Sequence, residues 1–335
     1  MKKLVIAGTI LVDAIKTIPL YPEVGKLVQI SSVSRSVGGA VPNTAIDMAK
    51  LDKNFKVTVF GKIGKDEYGD FVKAEMEKAG LDVSHLLVSE TAPTSFTDAM
   101  SILGGERTFF TLPGANAELD VDDFDFDALA PTHLHLGYLL LLDTLDRYDE
   151  EFGCRAARLL AKAKERGITT SIDLISEPSD RYKSVVAPAL PYVDHLIINE
   201  VEAAKIACVT LEEGKIDKGT LRTISARLLD MGVREKVILH CPMLGSVLDK
   251  EKGFTTLPSL DLPKGYIVGA TGAGDAFCAG ALYGLMHDYT DCEILSLGSL
   301  CAAANLSKAD SVSGMRPLNE LKELEKLYKR KTNIC

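Results

Sequence analysis

Short apolar runs recur along this chain, and between them lie longer stretches whose apolar positions repeat at helical spacing. The runs lie at 4–8, 57–61, 133–137, 169–173, 195–199 and 236–240, and most are rich in branched apolar residues. Continuous apolar runs of this length predict strands buried on both faces. The helical spacing predicts helices over 44–51, 68–78, 152–166, 276–287 and 293–308, with Gly80 and Gly167 as C-caps of two of them. Strand and helix alternate, which predicts an α/β fold: a doubly wound, mostly parallel sheet with helices on both faces. Two segments break the rhythm, 12–37 and 92–113. Both alternate polar and apolar residues around Gly and Pro turns, which predicts antiparallel strands outside the main sheet. Together they are expected to form a small β-sheet lid over a cleft. The acidic run from Glu118 to Asp127 reads as a solvated face or loop.

Composition narrows the classes. The chain has 335 residues, 46% hydrophobic and 25% charged, an ordinary globular mix with enough length for a large core. We expect one α/β domain over 1–335 with a two-segment lid. Lys and Arg number 38 against 47 Asp and Glu, a net charge of −9, which argues against a nucleic-acid partner. The seven cysteines are scattered and form no C-x-x-C pair, so neither a disulfide scaffold nor a zinc ribbon is indicated. Asp13 interrupts the apolar N-terminus before it reaches signal-peptide form. No segment approaches the ~20 apolar residues of a membrane span. The expectation is a soluble, cytoplasmic protein without a membrane partner.

Four local patterns carry chemistry. In Gly269-Ala270-Thr271-Gly272-Ala273-Gly274-Asp275-Ala276-Phe277 a small-residue loop opens into an apolar helix. Backbone N–H groups at such a helix start attract anions. A carboxylate there repels phosphate unless it takes part in the reaction, for instance as a general base in phosphoryl transfer. The alternative is a Gly-rich turn whose Asp275 stabilises the helix start. In Ser36-Val37-Gly38-Gly39-Ala40-Val41-Pro42-Asn43 the glycines permit close backbone approach, and Asn43 offers a donor and an acceptor or caps a helix. Asp13 follows a buried strand, where ligands of parallel sheets bind, or is a turn residue. In Asn199-Glu200-Val201-Glu202, Glu202 is suited to hydrated Mg²⁺, and the same residues fit a helix start. His133 and His135 share one strand face and read as core histidines rather than a metal site.

The ordered series G-G-A-x-x-N-x-A, G-x-x-G-x-D-x-x-G at 61–69, N-x-x-E and T-G-A-G-D-A-F resembles the ribokinase-like (PfkB) sugar kinases over nearly the whole chain. The resemblance implies ATP-dependent, Mg²⁺-assisted phosphorylation of a sugar hydroxyl. It implies Asp275 as catalytic base and the amides of Gly272, Ala273 and Gly274 as the anion hole. Asp13, Gly38, Gly39, Asn43, Arg107 and Asp143 match substrate-binding positions. Asn199, Gly245, Thr271 and Asn305 fall at nucleotide-side positions, and Asn199 with Glu202 at the Mg²⁺ motif, acting through water. The lid in such relatives often builds a homodimer contact.

This sequence also departs from that pattern. Gly269-Ala270 stands where the family usually has Asp-Thr, the Asp being a monovalent-cation ligand in ribokinases, so potassium activation is in question. After the strand at 236–240 the run His240-Cys241-Pro242-Met243-Leu244-Gly245 replaces the usual T-x-G, and Pro242 removes an N–H donor. Asp173 followed by Arg181 resembles fructokinase and 2-keto-3-deoxygluconate kinase strands. The chain has no Trp and its lid no clear aromatic stack, which puts a sugar acceptor ahead of a nucleoside. Two rival readings are a non-catalytic sugar or nucleotide sensor on the same fold, and a dinucleotide-binding oxidoreductase, which the lone Gly8 after the first strand disfavours.

Overall fold

The computed structural model describes residues 2–102, 107–211 and 216–332, the side chain of residue 107 excepted. Its main sheet has eight strands in the spatial order Gly253–Pro258, Leu244–Asp249, Lys236–His240, His195–Asn199, Thr169–Leu174, His133–Leu139, Leu4–Gly8 and Val57–Phe60. The last six are mutually parallel. The first two join them through antiparallel pairing. The parallel strands are the six apolar runs, with ends shifted by at most two residues. The antiparallel pair was not evident in the sequence. Every residue of Gly253–Pro258 is only half-buried, so this edge strand needs no apolar run.

Alternate residues of a strand face opposite sides of a sheet, and here both sides are covered. Val5, Ala7, Leu196, Ile198, Val237 and Leu239 enter one core, closed by the helices Arg155–Glu165, Glu200–Ile206 and Lys218–Asp230. Leu4, Ile6, Ile197 and Ile238 enter the other, closed by Ala40–Leu51, Glu67–Lys78, Ala273–Met286 and Asp291–Asn305. Burying each such Leu or Ile contributes about 1.5–3 kcal/mol, which is why these strands read as unbroken apolar runs.

A separate four-stranded sheet has the order Ser32–Gly38, Leu11–Ile18, Ser95–Ile102, Arg107–Leu112. The two rhythm-breaking segments therefore meet as one sheet. Each segment forms an antiparallel pair, but the joint between Leu11–Ile18 and Ser95–Ile102 is parallel. That corrects the expectation of a wholly antiparallel sheet. No helix among the described residues is long and apolar enough to cross a membrane.

Winding across the main sheet reverses at its first strand. The second parallel strand, Val57–Phe60, lies on one side of Leu4–Gly8, and the third, His133–Leu139, on the other. Ligands of open α/β sheets bind outside the carboxyl ends of the strands near such a reversal.

Candidate active site

The strand ends at that edge present Tyr138, Asp173, Asn199 and His240. The helix Ala273–Met286 begins against them, with Gly272 as its N-cap residue. Asp275 is the third residue of this helix and is buried. It does not cap the helix. Its carboxylate accepts a hydrogen bond from Asn43 Nδ2 at 2.9 Å and another from the Tyr138 hydroxyl. Asn43 reaches it because the helix expected over 44–51 starts earlier, as Ala40–Leu51, with Gly39 as N-cap. Pro42 is tolerated because first-turn N–H groups have no intrahelical acceptor. Asn43 is thus inside a helix rather than capping one.

Burial pushes the Asp275 carboxyl up to about 7, the Asp173 and Asp13 charges push the same way, and the bonds from Tyr138 and Asn43 oppose them. A carboxyl set there is matched to proton transfer at neutral pH. Burial, followed by the Asp275 and Asp173 charges, pushes the Tyr138 phenol far up, so it remains a hydrogen-bond donor.

Two cavities meet at this point. The smaller, about 310 Å³, is lined by Tyr138, Asp173, Asn199, Glu202, Gly272 and Asp275 among others. The larger, about 750 Å³, is mainly apolar, with Leu262, Ile267, Phe277, Ala302 and Leu306 in its wall. Asn199, His240, Ala270 and Gly274 line both. A polar chamber and an apolar one sharing a helix N-terminus can hold two substrates end to end with an anionic group between them.

The loop before the helix depends on close packing. Gly272 has φ 77°, and a Cβ there would stand 2.6 Å from Ser311; only glycine fits. Gly269 packs so tightly on residues 308 and 309 that a Cβ would stand 3.0 Å from their backbone. With glycine at this position, no side chain reaches from it toward the loop.

Asp13 lies on the Leu11–Ile18 strand, opposite Ser36 and Thr97, and its charge reaches Asp275. Gly38 abuts it: a Cβ there would come within 2.5 Å of Asp13 Oδ2. Asn199 caps the Glu200–Ile206 helix in a capping box with Glu202, so the helix-start reading and the cavity position both hold. Glu202 accepts from Ser176 Oγ at 2.6 Å and from the Asn199 N–H at 3.1 Å. Its surroundings fit a hydrated hard cation: the Glu202 carboxylate and the Ser176 hydroxyl line one cavity together with Asn199. Gly245 lines the larger cavity, with Leu295 2.9 Å from where its Cβ would be.

Other expected site residues lie elsewhere. Thr271 is exposed in the loop and is not in either cavity wall. Asn305 is buried and donates to the Ser311 carbonyl; it braces the segment behind Gly272 instead of facing the larger cavity. Asp143 is exposed, and the buried carboxylate of that turn is Asp146, which accepts from the Leu140 and Leu142 amides and pairs with Arg181. Arg181 ties this turn to Glu177 and does not enter the cavities. Arg107 opens its strand opposite Ser101, and its side chain lies outside what is described. Sequence reasoning missed Tyr138 and His240. Tyr138 lies one residue past the strand expected over 133–137, which in fact runs to Leu139. His240 packs against Phe277 with ring centroids 4.8 Å apart and planes tilted by 35°, and burial lowers its pKa to about 4, leaving a neutral imidazole beside Gly274.

Comparison with known proteins adds independent findings. Residues 1–317 match the pfkB family carbohydrate kinase model. A 5-dehydro-2-deoxygluconokinase of Shouchella clausii (strain KSM-K16) is 27% identical over 300 residues, covering 88% of this chain and 87% of that protein. The adenosine kinase of Saccharomyces cerevisiae is 28% identical over 290 residues, covering 84% and 81%. Among solved structures, an Arabidopsis thaliana ribokinase complexed with ribose and ATP superposes with a TM-score of 0.81 at 18% identity, covering 97% of this chain and 99% of that one. The likeness to this structure is one of fold.

Proposed function

The chain belongs to the pfkB family of carbohydrate kinases, and on that footing we propose that it transfers the γ-phosphoryl group of ATP to a hydroxyl of a small carbohydrate. The observation that carries the reading is Asp275, buried at the meeting of the two cavities in the first turn of a helix. In this reading the nucleotide base occupies the larger cavity against Ile267, Phe277, Ala302 and Leu306. The acceptor lies on the other side of Asp275, toward Asp13, Gly39 and Asn43. The Leu11–Ile18 and Ser95–Ile102 strands form a lid that excludes water and so limits hydrolysis of ATP.

Asp275 takes the proton of the acceptor hydroxyl as its oxygen bonds to the γ-phosphorus and ADP leaves. Tyr138 and Asn43 hold the carboxylate in place during this step. The amides of Gly272, Ala273 and Gly274 offset the charge on the moving phosphoryl group. Ala273 N–H donates to the Ala270 carbonyl at 3.3 Å, a long bond that phosphate would replace. Asn199 and Glu202 would hold Mg²⁺ through water, and the ion supplies charge neutralisation on the phosphates.

A sugar is favoured over a nucleoside as acceptor. Phe96, beside Asp13's neighbour Val12 in the lid, is engaged edge-on with Tyr68 at 5.7 Å. The same sheet exposes Val33, Phe109 and Phe110, and a second copy of the chain is the partner that would cover them.

The test is ADP release with Mg-ATP across ribose, fructose, 2-keto-3-deoxygluconate, 5-dehydro-2-deoxygluconate, other sugars and nucleosides. Asp275→Asn is expected to fold normally and lose about 10²–10⁴-fold in turnover on the sugar that responds. A variant at near wild-type rate would remove Asp275 from the mechanism.

A further inference from the structure

Three side chains that the reaction above does not use converge under Asp275. His135 comes from the His133–Leu139 strand, Asp173 from Thr169–Leu174, and Cys278 from the turn of helix after Asp275. All three are buried, at 0%, 6% and 2% exposure. His135 Nε2 stands 3.6 Å from Asp173 Oδ2 and 3.5 Å from Cys278 Sγ. One ligand atom from each residue lies within 4.8 Å of the others. The nitrogen–oxygen separation is too long for a hydrogen bond. The thiol and imidazole share a weak hydrogen bond, and the two His135 separations also match the roughly 3.3–3.6 Å edge of a tetrahedron drawn around an ion bonded to N, O and S at zinc distances.

The surroundings fit a site as well. His135 Nδ1 meets Ser171 Oγ at 2.9 Å, and Ser171 Oγ meets His133 Nε2 at 2.8 Å. That fixes the ring and aims Nε2 at the other two ligands, as outer partners of metal-bound histidines do. Asp173 Oδ1 is buried without a hydrogen-bond partner. Asp173 and Cys278 line the smaller cavity, which gives an entry path and an open fourth position.

We propose that His135, Asp173 and Cys278 bind a thiophilic divalent cation of the zinc class at the floor of the smaller cavity. The mixed N/O/S donor set separates this site from the oxygen-rich Asn199–Glu202 position suited to Mg²⁺. Binding replaces the thiol proton of Cys278, which goes to solvent. The ion, one thiolate, one carboxylate and a neutral imidazole then sum to zero charge, which suits a buried site. An ion there shares the chamber with Asp275 and obstructs the acceptor hydroxyl, so zinc inhibits turnover. This last consequence rests on the kinase reading; the binding does not.

The test uses the metal-stripped full chain titrated with Co²⁺ alone. One equivalent is expected to give a thiolate-to-cobalt charge-transfer band in the near ultraviolet, and Zn²⁺ to abolish it by displacement. The band should vanish in Cys278→Ser and survive in Cys208→Ser and Cys292→Ser, which alter exposed thiols. Thermal melts establish that each variant is folded. Ser171→Ala should weaken Zn²⁺ binding by about tenfold, measured against a chromophoric chelator. No band in the wild type, or a band that persists in Cys278→Ser, overturns the site. If Zn²⁺ slows the wild-type kinase and not Cys278→Ser, each relative to its own zinc-free rate, obstruction is supported; equal slowing of both overturns it. A chain silent toward every acceptor would count against the kinase reading and leave the cobalt result standing.

Discussion

In the proposed reaction Asp275 takes the proton, and its environment sets two opposed pH dependences. As a base it must be ionised, and its carboxyl is pushed up to about 7. With sugar limiting, kcat/KM should therefore fall about tenfold per unit as pH drops below 7. A flat profile from pH 6 to 8 would sink the assignment. Stability runs the other way. The folded-state pKa lies above the ordinary 3.8, so the folded protein binds the proton more tightly than the unfolded chain. The stability this gives is complete below 3.8 and is lost as pH rises through 7. Asp275→Asn should accordingly exceed the wild type in resistance to denaturant at pH 8, with the gap closing by about pH 4. The residue's candidacy was legible because a carboxylate in an anion-binding loop repels the group that the loop attracts, unless it takes a proton in the reaction. Its partners Tyr138 and Asn43 were not legible, because their contacts with Asp275 span 137 and 232 residues.

At the scale of elements, the parallel strands and the longer helices follow from apolar periodicity, because each is buried along its length. The sheet's antiparallel extension does not, and a buried charge cluster holds it. Lys236 Nζ pairs with Asp249 on the neighbouring strand and, at 2.7 Å, with Asp291 at the start of the Asp291–Asn305 helix. All three side chains are largely buried, at 11%, 9% and 6% exposure. Lys236→Met leaves two buried carboxylates without their cation and should cost about 3–5 kcal/mol in chemical denaturation. A loss below about 1 kcal/mol would mean that water reaches the pair. The acidic run 118–127 also has an element-scale role that its charge concealed. Asp120 and Asp125 cap the short helical turns Val121–Asp123 and Phe126–Leu129, and Asp120 pairs with Arg155.

For the whole molecule, two outcomes separate this chain from the ribokinases it resembles or align it with them. Because Gly269 carries no carboxylate, exchanging sodium for potassium should leave turnover unchanged within assay error; clear potassium activation would refute this. Because the four-stranded sheet exposes Val33, Phe109 and Phe110, light scattering should find a dimer, and Phe110→Asp a monomer. A monomeric wild type would end that proposal. The strand–helix alternation, the apolar faces on both sides of the sheet and the loop carrying Asp275 can be read from the residues alone, because burial periodicity and glycine-rich anion loops are local patterns that a single segment records. Which strand ends face that loop depends on the folded chain. It placed Tyr138 and Asn43 on Asp275, left Asp143 exposed and turned Asn305 toward Ser311. It also gathered His135, Asp173 and Cys278 into one chamber. These are contacts between segments far apart in the chain, and their geometry depends on how the sheet is wound.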